Sequence, residues 1–159
     1  RSIIQKFPAG MLVYVHREQG KLTYLSGRSI EGKRHHNPPR DLLGERRLYF
    51  NHCYSPDAEQ VVLVEGQADA VRFAEWGIAA IALAGLSANE DTQCLLQNHR
   101  RVFVALDNTP EAQSKGREIA SVLKASTCLL QLPEATSRAI YCRRAWPRSV
   151  LRKGSSRAL

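Results

Sequence analysis

From residue 61 onward the chain repeats one pattern: a short, unbroken apolar run, then a stretch with helical spacing. VVLV (61–64) is followed by ADAVRFAEW, IAAIALA (78–84) by a second helical stretch, VFVAL (102–106) by a third, and CLLQL (128–132) closes the series. Runs too short for a buried helix and with no polar alternation are strands buried on both faces, and helices between them make the sheet parallel. The expected fold class is therefore α/β: a Rossmann-like parallel sheet flanked by helices, preceded by a small, mostly β subdomain.

That lead-in reads differently. MLVYV (11–15) and KLTYLSGRSI (21–30), joined at Arg17-Glu18-Gln19-Gly20, form a hairpin pattern. The polar loop EGKRHHNPPRD follows, then a short strand at LYF (48–50). Pro56-Asp57-Ala58-Glu59 marks a boundary, giving a lead-in over 1–58, an α/β domain over 59–133, and an irregular basic tail over 134–159. Ser87 and Glu90 are spaced as a capping box, Thr109 as an N-cap with Pro110 at the first helical position, and Gly77 as a helix stop after Trp76. Phe73 and Trp76 read as core aromatics rather than base-stacking platforms.

Charge narrows the partners. The net +8 suggests a polyanion, yet seven Lys/Arg from residue 133 onward, against Glu134 alone, leave only +2 for the first 132 residues. Nucleic-acid contact must therefore come from a local cluster. The candidates are Lys33, Arg34, His35 and His36, with Arg28 and Arg40, the alternative being a merely solvated loop. The four cysteines are scattered with no C-x-x-C pair, which argues against zinc. Cys94 and Cys128 lie in apolar patterns and are expected as reduced core thiols of a cytoplasmic protein. No apolar run is long enough to span a membrane, and there is no signal-peptide pattern. The chain starts with Arg1, as a fragment would.

Two strands end on an acid, Glu65 after VVLV and Asp107 after VFVAL. Asp69 lies four residues past Glu65, one turn into the next helix, where it can face the same crevice. Carboxylates gathered there suit a hard divalent cation, Mg²⁺ or Mn²⁺, and Gly66 permits close approach of backbone or phosphate. On spacing alone the alternative is equally open: polar strand ends that merely emerge into water.

Glu65-Gly66-x-x-Asp69 after one apolar strand, with Ala-Leu-Ala-Gly after the next, resembles the Toprim domain shared by bacterial-type primases, type IA and type II topoisomerases and some nucleases. VFVALDNTPEAQSKGREIA is similar to its second motif, D-x-D. LVYVHREQGKLTYLSGR, KRHHNPP and RRLYF resemble the lead-in of the bacterial-type (DnaG-like) primase catalytic core, so the likeness covers about residues 7–133. It implies metal-dependent nucleotidyl transfer that makes RNA primers on single-stranded DNA from nucleoside triphosphates, with Mg²⁺ or Mn²⁺. Glu65 would be the catalytic acid/base, Asp69 and Asp107 the metal ligands. Arg28, Lys33, Arg34, Asn37 and Gly66 would meet nucleic acid or nucleotide. A replicative helicase would be a partner through regions outside this sequence.

The pattern departs from the family twice. Thr109 stands where D-x-D has its second acid, and Pro133 is followed by Glu134-Ala135-Thr136-Ser137 instead of G-x-D-P-D. The tail reads as a frame-shifted or decayed end. These losses imply an impaired or degenerate copy. A non-catalytic nucleic-acid-binding relic or a Toprim-type nuclease are the alternatives.

Overall fold

The computed structural model describes residues 7–32, 34–123 and 126–130. Lys33, the last two residues of the expected strand 128–132, and the tail lie outside them. The described residues form two sheets. The smaller is antiparallel, in the order β1 (Met11–Glu18), β2 (Lys21–Ser29), β3 (His35–His36). The larger contains β4 (Tyr49–Phe50), β5 (Gln60–Val64), β6 (Ala80–Ala82), β7 (Arg101–Ala105) and β8 (Ser126–Leu129), in the order β4-β6-β5-β7-β8. β5 to β8 run parallel, and β4 joins the edge antiparallel to β6. Helices α1 (Arg40–Leu43), α2 (Gln67–Glu75), α3 (Glu90–Gln97) and α4 (Pro110–Val122) complete the set. The mixed α/β architecture with a parallel-rich sheet is the one expected.

The unbroken apolar runs follow from two packed faces. Val62 and Val64 point to one side with Phe103, Ala105 and the α2 residues Ala70 and Phe73. Val61 and Leu63 point to the other with Val102, Val104, Leu96 of α3, and Ala112 and Ile119 of α4. Each of these strand residues is at most 2 % exposed apart from Ala105, so alternation survives in direction but not in polarity. Full burial of each Val or Leu contributes about 1.5–3 kcal/mol.

The run at 78–84 yields only the three-residue strand β6. Its ends are used for turning. Gly77 takes a positive φ of 70° after α2; Gly77 N–H donates to Ala74 O (2.9 Å) and Ile78 N–H to Phe73 O (3.0 Å), a Schellman closure. At the far end Ala84 takes φ 54° and its N–H donates to Glu65 O at 3.0 Å.

Thr109 caps α4 as expected, its hydroxyl accepting from Ala112 N–H at 3.2 Å. The capping box at Ser87 is corrected: Asn89 is the N-cap of α3, its Oδ1 accepting from Thr92 N–H at 3.0 Å and from the Thr92 hydroxyl at 2.8 Å. Asparagine caps at least as well as serine, and the helix starts where that bond closes. The cysteine expectation is corrected too. Cys94 and Cys128 are exposed. On α3 the buried positions are Thr92 and Leu96, which turns Cys94 outward, and Cys128 lies on the edge strand β8. Phe73 is fully buried, with Trp76 edge-on against it at 5.4 Å. Among the described residues no helix is long and apolar enough to cross a membrane.

Candidate functional site

Strand order decides where a crevice opens. β5 leaves the sheet into α2, which packs on one face; its neighbour β7 leaves into α4, which packs on the other. Adjacent parallel strands whose exits diverge leave a cleft at their carboxyl ends, the usual ligand site of an open α/β sheet. Glu65 follows β5 and Asp107 follows β7, in strands registered Val64 to Ala105. Glu65 is half-buried and Asp107 exposed.

Asp69 enters from α2. Gly66 is the N-cap of that helix in extended conformation (φ −109°), which makes Asp69 its third residue. From there the carboxylate reaches back to the Gly66 N–H, half of a capping box, and gains from the helix dipole. A Cβ at position 66 would stand 3.1 Å from Asp69 Oδ2, so glycine is what leaves that carboxylate its place.

The electrostatics tie these groups together. Asp69 is pushed up from 3.8 to about 6, first by burial, then by the negative field of Asp107 and, less, of Glu65. The Arg28 guanidinium and the Gly66 N–H oppose that rise without cancelling it. Three acids from two strand ends and one helix turn thus share a field that one arginine does not neutralise. Carboxylate oxygens in an excess of negative charge are the donor type a hard divalent cation takes. Their convergence is looser: among the described residues no three His, Cys, Asp or Glu side chains stand grouped to enclose an ion. Thr109, next but one to Asp107, has its hydroxyl engaged in the cap of α4.

The basic cluster is divided by the fold. Arg28, half-buried on β2, faces the field of Asp69. Arg34 and His35 are exposed, and Arg40 pairs with Glu45. His36 is half-buried with its ring edge-on to Phe7 at 5.0 Å, and Asn37 is half-buried. Lys33 lies outside the described residues.

Two cations near the strand ends have no signal in the sequence. A Cβ on Gly85, just past β6, would stand 3.2 Å from an Arg46 guanidinium nitrogen. Lys115 Nζ donates to Leu86 O at 3.1 Å. Together they bracket the loop whose first residue, Ala84, bonds Glu65 O. Arg46 sits in an undistinguished run, and Lys115 reaches its partner across 29 residues.

No family model matches the chain, and no curated protein matches it in sequence. Solved structures do resemble it. The Aquifex aeolicus primase (zinc-binding and RNA polymerase domains) aligns at TM-score 0.62 and 17 % identity, over 80 % of this chain and 35 % of that one. A DnaG primase catalytic domain bound to single-stranded DNA aligns at 0.65 and 19 %, over 80 % and 45 %. A chain from the bacteriophage T7 complex of lagging-strand DNA polymerase with gp4 primase domains, an RNA/DNA hybrid and dTTP aligns at 0.67 and 20 %, over 89 % and 77 %. At such identities the likeness is one of fold: a primase-core fold. The chain spans less than half the length of the A. aeolicus and DnaG structures.

Proposed function

We propose that this chain is a Toprim-containing core of a primase-like nucleotidyltransferase, acting on single-stranded DNA and nucleoside triphosphates. The observation that carries the reading is the shared field of Glu65, Asp69 and Asp107 at the divergence of β5 and β7, in a fold resembling primase cores. Asp69 and Asp107 would hold Mg²⁺ or Mn²⁺, which when bound offsets charge developing on a triphosphate. Glu65 would accept the proton of an attacking 3′-hydroxyl at the mouth of the crevice. Arg28 would orient phosphate beside Asp69, and Arg34, Asn37 and Lys33 would track the template backbone. Gly66 keeps the first turn of α2 open to close approach.

The test is primer synthesis on single-stranded DNA with ribonucleotides and Mg²⁺. Glu65→Gln is expected to abolish synthesis while the far-ultraviolet circular dichroism stays that of the wild type. Thr109→Asp keeps a capping oxygen and adds an acid near Asp107, so it should tighten Mn²⁺ binding. Unchanged affinity would mean that position 109 does not face the ion. A second reading, a nucleic-acid-binding relic without catalysis, is favoured by the loose grouping of the acids. It predicts single-stranded DNA binding with no synthesis by the wild type.

A further inference from the structure

Three buried polar side chains link the small sheet to the first turn of α2 and to the residue before β4. Gln67 Nε2 donates to Ser26 Oγ at 3.0 Å, Ser26 Oγ lies 2.8 Å from His16 Nε2, and His16 Nδ1 lies 3.0 Å from Leu48 O. Gln67 is 8 % exposed, Ser26 3 % and His16 1 %. The direction of every bond follows from one end. A carbonyl only accepts, so His16 carries its proton on Nδ1 and accepts at Nε2; this tautomer is assigned from the bonding pattern. The Ser26 hydroxyl then donates to His16, and its lone pair receives Gln67. Burial lowers the pKa of His16, which keeps the ring neutral as the chain requires. Tyr24 and Tyr49 hold the ring edge-on, each at 5.3 Å.

Gln67 opens α2, one residue after Gly66 and two before Asp69. Ser26 and Arg28 are two apart on β2 and so share a strand face. The strand that presents Arg28 to Asp69 is therefore the strand that grips the first turn of α2. We propose that Gln67 and Ser26 are positioning residues: through His16 and the Leu48 carbonyl they fix the first turn of α2, and with it Asp69, against Arg28. The proposal rests on the reading of Asp69 as a metal ligand for its functional consequence, but not for its mechanical one. A buried hydrogen-bonded chain suits this task because a shift of α2 unpairs the Gln67 donor.

The experiment pairs Mn²⁺ titration with amide hydrogen exchange on Ser26→Ala, Gln67→Met and the double variant. Each single variant should weaken Mn²⁺ binding about tenfold, at the low end of what loss of support around a ligand costs. The double variant should be no weaker than either, because both break one chain. Amides 66–70 should exchange faster while those of β5 and β7 keep their protection. If the melting point falls but Mn²⁺ affinity and exchange at 66–70 stay as in the wild type, the chain only adds stability and the proposal is overturned. If the wild type binds no Mn²⁺, the metal reading falls by itself. Exchange at 66–70 then decides: faster in both single variants sustains the anchor, unchanged removes it.

Discussion

At position 66 a single missing methyl group is worth more to the site than to the fold. The φ of −109° is open to any residue, so alanine costs the backbone little. Its Cβ would meet Asp69 Oδ2 at 3.1 Å, tighter than a comfortable contact, and the carboxylate must give way. Movement of Asp69 loosens its bond from the residue 66 N–H and its aim into the crevice. Gly66→Ala should therefore change the unfolding free energy by no more than about 1 kcal/mol in a urea titration. Mn²⁺ affinity should drop several-fold in the same sample. Equal affinity in the two proteins would show that Asp69 does not need the space.

Among the elements, the two-residue strand β4 is held by side-chain bonds to partners distant in sequence. β4 has only two residues, yet Asn51 follows it and is 3 % exposed. Its Nδ2 donates to Ala70 O and Ile78 O, both at 2.9 Å, and its Oδ1 accepts from Ala80 N–H at 3.1 Å. One side chain thus satisfies α2, the turn after it and β6. Asn51→Leu keeps the volume and leaves two carbonyls and one N–H without that partner. About 3 kcal/mol of stability should be lost, seen as a lower urea midpoint with the slope unchanged. A loss below about 1 kcal/mol would mean that water replaces the amide. Nothing in NHCY announces this role. Partners 19 to 29 residues away decide it, whereas the Thr109 cap and the Gly77 stop were legible because their partners lie within one turn. The same contrast explains Ser26 and Gln67, 41 residues apart. It also explains Ser87: a local rule named a good cap, and a better one two residues on took the helix.

For the whole molecule, the apolar runs made the parallel sheet legible, but not its strand order. The order places the divergence between β5 and β7, the two strands that Glu65 and Asp107 follow. Two titratable groups shifted by burial, His16 on β1 and Asp69 on α2, pull stability in opposite directions with pH. His16, lowered by burial, resists the proton that an unfolded chain accepts, so its effect is to cost stability as pH falls below about 6.5. Asp69, raised to about 6, resists losing the proton that an unfolded chain gives up near 3.8; its contribution is favourable in acid and is lost as pH rises from 3.8 through 6. A shift of that size is worth about 2–3 kcal/mol at neutral pH in the absence of metal. Asp69→Asn should then be more stable than the metal-free wild type by about 2 kcal/mol at pH 7.5, with the gain gone by pH 4. Between pH 5 and 7 the variant should show only the upward slope left by His16, whereas the wild-type profile is flatter. Mg²⁺ at pH 7.5 should raise the melting temperature of the wild type and leave that of Asp69→Asn nearly where it was, since binding stabilises only a fold that retains the ligand. Urea titrations of both proteins from pH 4 to 7.5 measure the first two effects, and thermal melts at pH 7.5 without and with Mg²⁺ measure the third. An Asp69→Asn protein no more stable than the wild type at pH 7.5 would refute the crowded negative field from which the site is argued.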